Sequence, residues 1–170
     1  KEYRRQRQMC IRDRFDPQFC FYGPMGYDIG NVIANMIFAW ANGDAAGAAD
    51  FCKWVEDVLV DVINMTKEKM EKYYDEHVTD TMCRNELYKK YYMDTIIEDT
   101  SAVAGLELIR RIVGMANVKD ITTIADEAKR ARAEKICITA AIDFIKNRSD
   151  KKCGKCFLKT LKDAIAEVDA

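Results

Sequence analysis

Residues 15–40 read FDPQFCFYGPMGYDIGNVIANMIFAW, and their reading decides the fold. The first half holds both prolines of the chain, Pro17 and Pro24. Phe19, Cys20, Phe21 and Tyr22 suit a short strand. Gly23-Pro24-Met25-Gly26 must turn, because proline presets φ and glycine tolerates what other residues do not. Asp28 comes next, with a side chain able to accept from the free amides of a first helical turn as an N-cap. Behind it Ile29, Val32, Ile33, Met36, Ile37, Phe38 and Trp40 make a helix that is apolar nearly all round, and such a helix is a buried one. It should end at Asn42-Gly43.

Downstream the apolar period is helical. Phe51, Trp54, Val55, Val58, Leu59, Val62 and Ile63 step by three and four along one face, with Lys53, Glu56, Asp57, Asp61 and Asn64 opposite. This helix should run from residue 50 to about 74. His77-Val78-Thr79-Asp80 reads as a link. A third helical region spans residues 81–98, with Leu87, Tyr88, Tyr91, Tyr92, Ile96 and Ile97. A fourth, residues 101–116, contains AGLELIRRIVGMA. Residues 117–125 are a polar connection, and 126–147 a fifth helix with Ala133, Ile136, Cys137, Ala140, Phe144 and Ile145 inward. Residues 151–155 form a turn before a last helix with Phe157, Leu158, Leu161, Ile165 and Val168 on one stripe. With no internal repeat and no second boundary, the expected class is mainly α, a bundle with at most one small hairpin.

Composition agrees. The chain has 170 residues, 49% hydrophobic and 32% charged, which excludes wholesale disorder. Lys+Arg total 27 and Asp+Glu 28, so no broad electrostatic grip on nucleic acid or an anionic membrane is implied. Two prolines and 8 glycines are too few for the turns of a sandwich or barrel. No apolar run approaches the ~20 residues of a membrane span. The N-terminal KEYRRQR has no apolar segment behind it, so the 7 cysteines read as reduced, mostly buried thiols of a cytoplasmic protein. Residues 1–14, KEYRRQRQMCIRDR, lack an apolar period. They read as a basic tail or, the reading we prefer, a non-native segment resembling translated adapter sequence, outside the fold.

Few residues suggest chemistry by themselves. Asp16 and Gln18, two apart in an extended segment, could face one hard cation such as Mg²⁺, although a plain turn accounts for them as well. Arg110 and Arg111 are adjacent in an otherwise apolar helix and point ~100° apart, so at least one should reach a buried rim or a ligand. Glu107, three and four residues upstream, offers the alternative of a salt bridge. Cys153-Gly-Lys-Cys156 is the one CxxC: a structural zinc site would need a second pair, and a thioredoxin-like redox role a βαβ context, so it reads as a surface turn that binds no metal and plays no catalytic role. His77 reads as a surface residue, and GPMG lacks the Lys-Ser/Thr of a phosphate loop.

The string FDPQFCFYGPMGYDIGNVIANM resembles a segment of the S-methyl-5-thioribose kinases that reads D-P-E-F-A-F-Y-G-P-M-G-F-D-I-G. A second block, YYMDTIIEDTSAVAGLELIRRIVGMANVKDI, is similar to that family's helix with the run M-I-R-R-I-V-G-L-A-H-V. Residues 51–77 and 130–148 are similar too, so the resemblance extends from residue 15 to about 148. It implies the helical C-terminal lobe of a protein-kinase-like fold of the choline and aminoglycoside kinase type over residues 15–170. The nucleotide lobe and the catalytic Asp lie upstream in the family, so the chain resembles a fragment, expected to be inactive alone. The implied parent reaction transfers the ATP γ-phosphate to the 1-hydroxyl of 5-methylthioribose in methionine salvage. The implied cofactors are Mg²⁺ and the co-substrate ATP, and the implied parent is a cytoplasmic homodimer. The family's metal-binding pair falls on Asp16 and Gln18, the latter an amide in place of a carboxylate. Its paired substrate-binding arginines fall on Arg110 and Arg111, and Asp28 matches a residue supporting the catalytic loop. The resemblance also implies that the arginine helix and the Asp16 loop face one cleft, with Ile109, Ile112 and Val113 packed inward against the helix of Ile29 and Trp40. The alternative, in another class, is a stand-alone helical binding module without catalysis.

Overall fold

The computed structural model describes residues 23–170. Six α-helices follow in order: α1 (Gly26–Ala45), α2 (Ala49–His77), α3 (Glu86–Ile112), α4 (Lys119–Thr122), α5 (Glu127–Lys146) and α6 (Gly154–Asp169), with a 3₁₀ turn at Arg148–Asp150 before α6. Among the described residues there is no strand, and the class is mainly α, as expected. The strand expected over residues 19–22 and the segment 1–14 lie outside the described residues.

The all-round apolar helix is indeed central. Ile33, Ala34, Ile37 and Phe38 of α1 have no exposure, and α1 packs on α2, α3, α4 and α5. Each such large side chain contributes roughly 1.5–3 kcal/mol by leaving water. The core continues through Leu59 and Ile63 of α2, Leu108 of α3, Ile136 and Phe144 of α5, and Phe157 and Leu161 of α6. The Phe144 and Phe157 rings meet with centroids 5.3 Å apart.

The GPMGYDIG string explains how α1 seats itself. A Cβ on Gly26 would lie 2.5 Å from the backbone N of Thr100, and one on Gly30 would lie 2.7 Å from the Thr100 carbonyl oxygen. The backbones of α1 and α3 touch there, and no larger residue fits. A turn closes one residue later than expected, over residues 24–27, with the Tyr27 N–H donating to the Pro24 carbonyl at 3.0 Å.

Asp28 is not the N-cap. The helix starts at Gly26 with Met25 in the cap position, and Asp28 is an exposed acid in the first turn. Pro24 is already compatible with a helix start, and packing of Gly26 on α3 draws the first turn earlier than a side-chain cap would. At Asp28 the carboxylate still favours the helix N-terminus through the dipole.

The third and fourth helical regions are one helix. A boundary was expected between residues 98 and 101, yet α3 passes through it. Thr100 Oγ1 donates to the Ile96 carbonyl at 2.8 Å, and Ser101 Oγ donates to the Phe144 carbonyl of α5 at 2.8 Å. Polar side chains that would compete with the helix backbone are satisfied in place.

On α2 the buried face is rotated from the expected one. Trp54 is 60% exposed and Phe51 41%, while Cys52, Val55, Glu56 and Leu59 are buried. Glu56 can be buried because Trp40 Nε1 donates to it at 3.1 Å and Lys162 of α6 pairs with it. His77 closes α2 instead of lying in a link, and α4 occupies part of the connection expected at residues 117–125.

Asp126, expected as the first residue of the fifth helix, is its N-cap. Its Oδ1 accepts from the amides of Ala128 at 2.9 Å and Lys129 at 3.1 Å, capping α5. Asp126→Ala should cost about 0.5–2 kcal/mol, read as a lower urea midpoint at unchanged m-value. An unchanged midpoint would show the cap to be idle.

Candidate functional site

The last turn of α3 carries Arg110 and Arg111, and both fold back onto Glu107. Arg110 donates from Nε to Glu107 Oε2 at 2.7 Å and from Nη2 to Oε1 at 2.8 Å. Arg111 Nε donates to Oε1 at 2.8 Å, and its Nη1 to the Ala116 carbonyl at 3.2 Å. The spacing of three and four residues puts both guanidiniums on one carboxylate, as helix geometry allows.

Glu107 is buried, while the side chain of Arg110 is 55% exposed and that of Arg111 32%. A buried acid therefore anchors two cations whose outer surfaces meet solvent. Each guanidinium has five N–H groups and uses two of them in these bonds. Tyr27, in the first turn of α1, lies within electrostatic range of Arg110.

The salt bridge and the ligand-facing reading of the pair are compatible in this geometry. Pinned guanidiniums are preorganised donors for an oxyanion or for vicinal hydroxyls, because their rotamer freedom is already lost.

Of the apolar residues expected to fix this helix, Ile109 and Ile112 pack partly buried against the core. Val113 does not: it is 70% exposed. The helix ends at Ile112, and with Val113 as its C-cap the chain leaves the buried stripe toward exposed Gly114 and Met115. Asp16 and Gln18 lie outside the described residues, and so does the cleft they would share with the arginines. Among the described residues, no group of three or more His, Cys, Asp or Glu could hold a metal ion.

Burial pushes the Glu107 carboxyl up, but the hydrogen bonds and charges of Arg110 and Arg111 outweigh it and hold the group below its ordinary value. Asp143 behaves alike: burial raises it, and Lys151, Thr160 and Asn147 bring it down. A carboxyl depressed on folding contributes stability that is complete above its unfolded value and is lost as pH falls toward the folded one. Melting temperature should therefore hold on acidification to about the unperturbed carboxylate range, ~4, and drop below it. Glu107→Gln should flatten that drop. An identical acid profile for wild type and variant would remove Glu107 from the account.

One feature escaped the sequence reading. A cleft of about 700 Å³ opens where the end of α2 meets the start of α3, lined by Tyr73, Tyr74, Tyr88, Tyr92, Met70 and Met93. Tyr73 and Tyr74 come from α2, and Tyr88 and Tyr92 from α3. Helix periodicity gives no way to bring these two groups together.

No family model matches the chain. Methylthioribose kinase 1 of Oryza sativa subsp. japonica is 33% identical over 152 residues, covering 78% of this chain and 35% of that protein. Methylthioribose kinase of Bacillus pumilus (strain SAFR-032) is 31% identical over 131 residues, 77% of this chain and 32% of that protein. The chain is similar to methylthioribose kinases over most of its length. Methylthioribose kinase of Escherichia coli O45:K1 (strain S88 / ExPEC) is 29% identical over 147 residues, again 78% of this chain and 35% of that protein. The chain thus spans about a third of the length of the methylthioribose kinases it matches. No helix among the described residues is long and apolar enough to cross a membrane.

Proposed function

We propose that this chain is the helical, substrate-holding part of a methylthioribose kinase, belonging to a kinase-like fold whose further lobe carries ATP. The observation that supports this most is the similarity to proteins named methylthioribose kinase, up to 33% identity over 78% of the chain. Kinase relatives imply ATP as phosphoryl donor and methylthioribose as acceptor. The reaction moves the γ-phosphoryl group to the 1-hydroxyl of the sugar, as one step of methionine salvage in the cytoplasm, by an enzyme that works as a homodimer. The alternative of a stand-alone binding module gains nothing from these relatives.

In this reading Arg110 and Arg111 clamp the sugar at the rim of α3. Phosphoryl transfer depends on positioning and on neutralising charge more than on covalent chemistry. Two guanidiniums held by one buried carboxylate suit that task, since Glu107 sets their direction and leaves N–H groups for hydroxyl or phosphoryl oxygens. Tyr27 would close the same rim from α1. Mg²⁺, where bound, supplies charge neutralisation on the phosphates. Asp16 and the amide oxygen of Gln18 would be its ligands, with less negative charge than two carboxylates offer. Asp28 would support the catalytic loop from the first turn of α1.

The test is to express the complete reading frame around this chain and incubate it with ATP, Mg²⁺ and methylthioribose. ADP release that requires the sugar, with a phosphorylated sugar in the product, is expected. ATP turnover indifferent to methylthioribose would overturn the reading. The 170-residue chain alone should show no transfer.

A further inference from the structure

The CxxC segment does more than turn the chain. Cys153 is the N-cap of α6, in extended conformation (φ −155°, ψ 166°), and the Cys156 N–H donates to its carbonyl at 2.9 Å. That first turn brings the two sulfurs to 3.1 Å. Both are free thiols, and neither is fully buried. A disulfide needs ~2.05 Å, so about 1 Å of approach separates the pair from a bond.

The segment is held on several sides. The Gly154 N–H donates to Asn64 Oδ1 of α2 at 2.9 Å, and a Cβ on Gly154 would meet the Val60 carbonyl oxygen at 2.3 Å. Lys152 Nζ reaches Glu98 of α3 at 2.7 Å, and Lys151 Nζ reaches Asp143 of α5 at 2.5 Å. The backbone on both sides of Cys153 is therefore anchored to α2, α3 and α5, while the two sulfurs meet through the local turn.

The surroundings favour a thiolate. The pair sits at the N-terminus of a 16-residue helix, with lysines at 151, 152 and 155. Burial raises the Cys156 thiol, but hydrogen bonds from Cys153 and from backbone groups at 152 and 153, with the charge of Lys151, bring it below its ordinary value. The contrast lies elsewhere in the core: burial pushes Cys137 up to about 12, and Cys52 is raised as well.

We propose that Cys153 and Cys156 form a reversible disulfide, a redox modification site at the start of α6 whose oxidant is a low-molecular-weight disulfide of the glutathione class. The Cys156 thiolate attacks one sulfur of that disulfide, forming a mixed disulfide and expelling one thiolate. The Cys153 thiolate then attacks Cys156 Sγ and expels the second. The two protons from the cysteines end on the two released thiols, and two electrons pass from the protein pair to the small disulfide. The site is independent of the arginine rim and of the proposed kinase reaction.

The native chain is equilibrated in buffers of increasing oxidised-to-reduced glutathione ratio, acid-quenched, alkylated with N-ethylmaleimide and peptide-mapped. A crosslinked 153–156 peptide should grow at least ~10-fold over any other cysteine pair and vanish with dithiothreitol. C153S should accumulate glutathione on Cys156 in place of the crosslink, and C156S on Cys153, each with unchanged helix content by circular dichroism. A pair that stays fully alkylated through the series, or that crosslinks only in urea, overturns the proposal. So does equal crosslinking of Cys52 or Cys137.

Discussion

Arg111→Ala in the full-length enzyme should lower kcat/KM for methylthioribose by a factor of ~10 or more, the scale of one charge-assisted hydrogen bond lost from the transition state. The variant is a clean probe because Arg110 keeps both of its bonds to Glu107, so the buried carboxylate is not orphaned. The KM for ATP should change much less, since the arginine holds the sugar in this reading. Arg111→Lys should not restore the rate, because an ammonium cannot bond Glu107, the Ala116 carbonyl and a substrate oxygen in the geometry of a planar fork. Sugar kinetics within twofold of wild type would reduce the pair to a salt bridge and remove its role in binding.

The other large effect concerns stability. Gly26→Ala combined with Gly30→Ala should lower the melting temperature by ~6 °C or more. Each new Cβ would sit 2.5–2.7 Å from the backbone of Thr100, which cannot give way as a flexible side chain would. Overpacking of this kind typically costs 1–3 kcal/mol per site, and a domain of this size loses roughly 2–4 °C per kcal/mol. The better helix propensity of alanine, ~0.8–1 kcal/mol per site, offsets only part of that. A double variant that melts above wild type would contradict the close crossing of α1 and α3.

Much of the fold was legible in the residues because a helix is closed by bonds within its own segment. The 3.6-residue period of Leu59 and Ile63, or of Phe157 and Leu161, needs nothing distant to be seen. The span expected for the fifth helix, residues 126–147, matches α5 to within a residue at each end. The spacing of Glu107 from Arg110 and Arg111 likewise offered, as one of two readings, the salt bridges that form. Asp16 and Gln18 could be read only as spacing and resemblance.

In three places where the reading failed, a partner from elsewhere in the chain had intervened. A boundary was expected between residues 98 and 101, yet the helix continues there, with Ser101 accommodated by the Phe144 carbonyl, 43 residues away. Glu56 read as solvent-facing, and Trp40 and Lys162 let it be buried, which turned Trp54 outward. Asp28 read as a cap, and the seating of Gly26 on α3 started the helix before it.

By itself, then, the sequence determined the helical class, the buried character of α1, the helical periods and the family resemblance, since each is carried by near neighbours along the chain. Only the tertiary structure decided which polar residues could be buried, where α3 continues, how Arg110 and Arg111 share one carboxylate, and that the backbone on both sides of Cys153 is anchored to α2, α3 and α5. Those outcomes depend on donors, acceptors and backbone surfaces tens of residues away, and local periodicity carries no information about them.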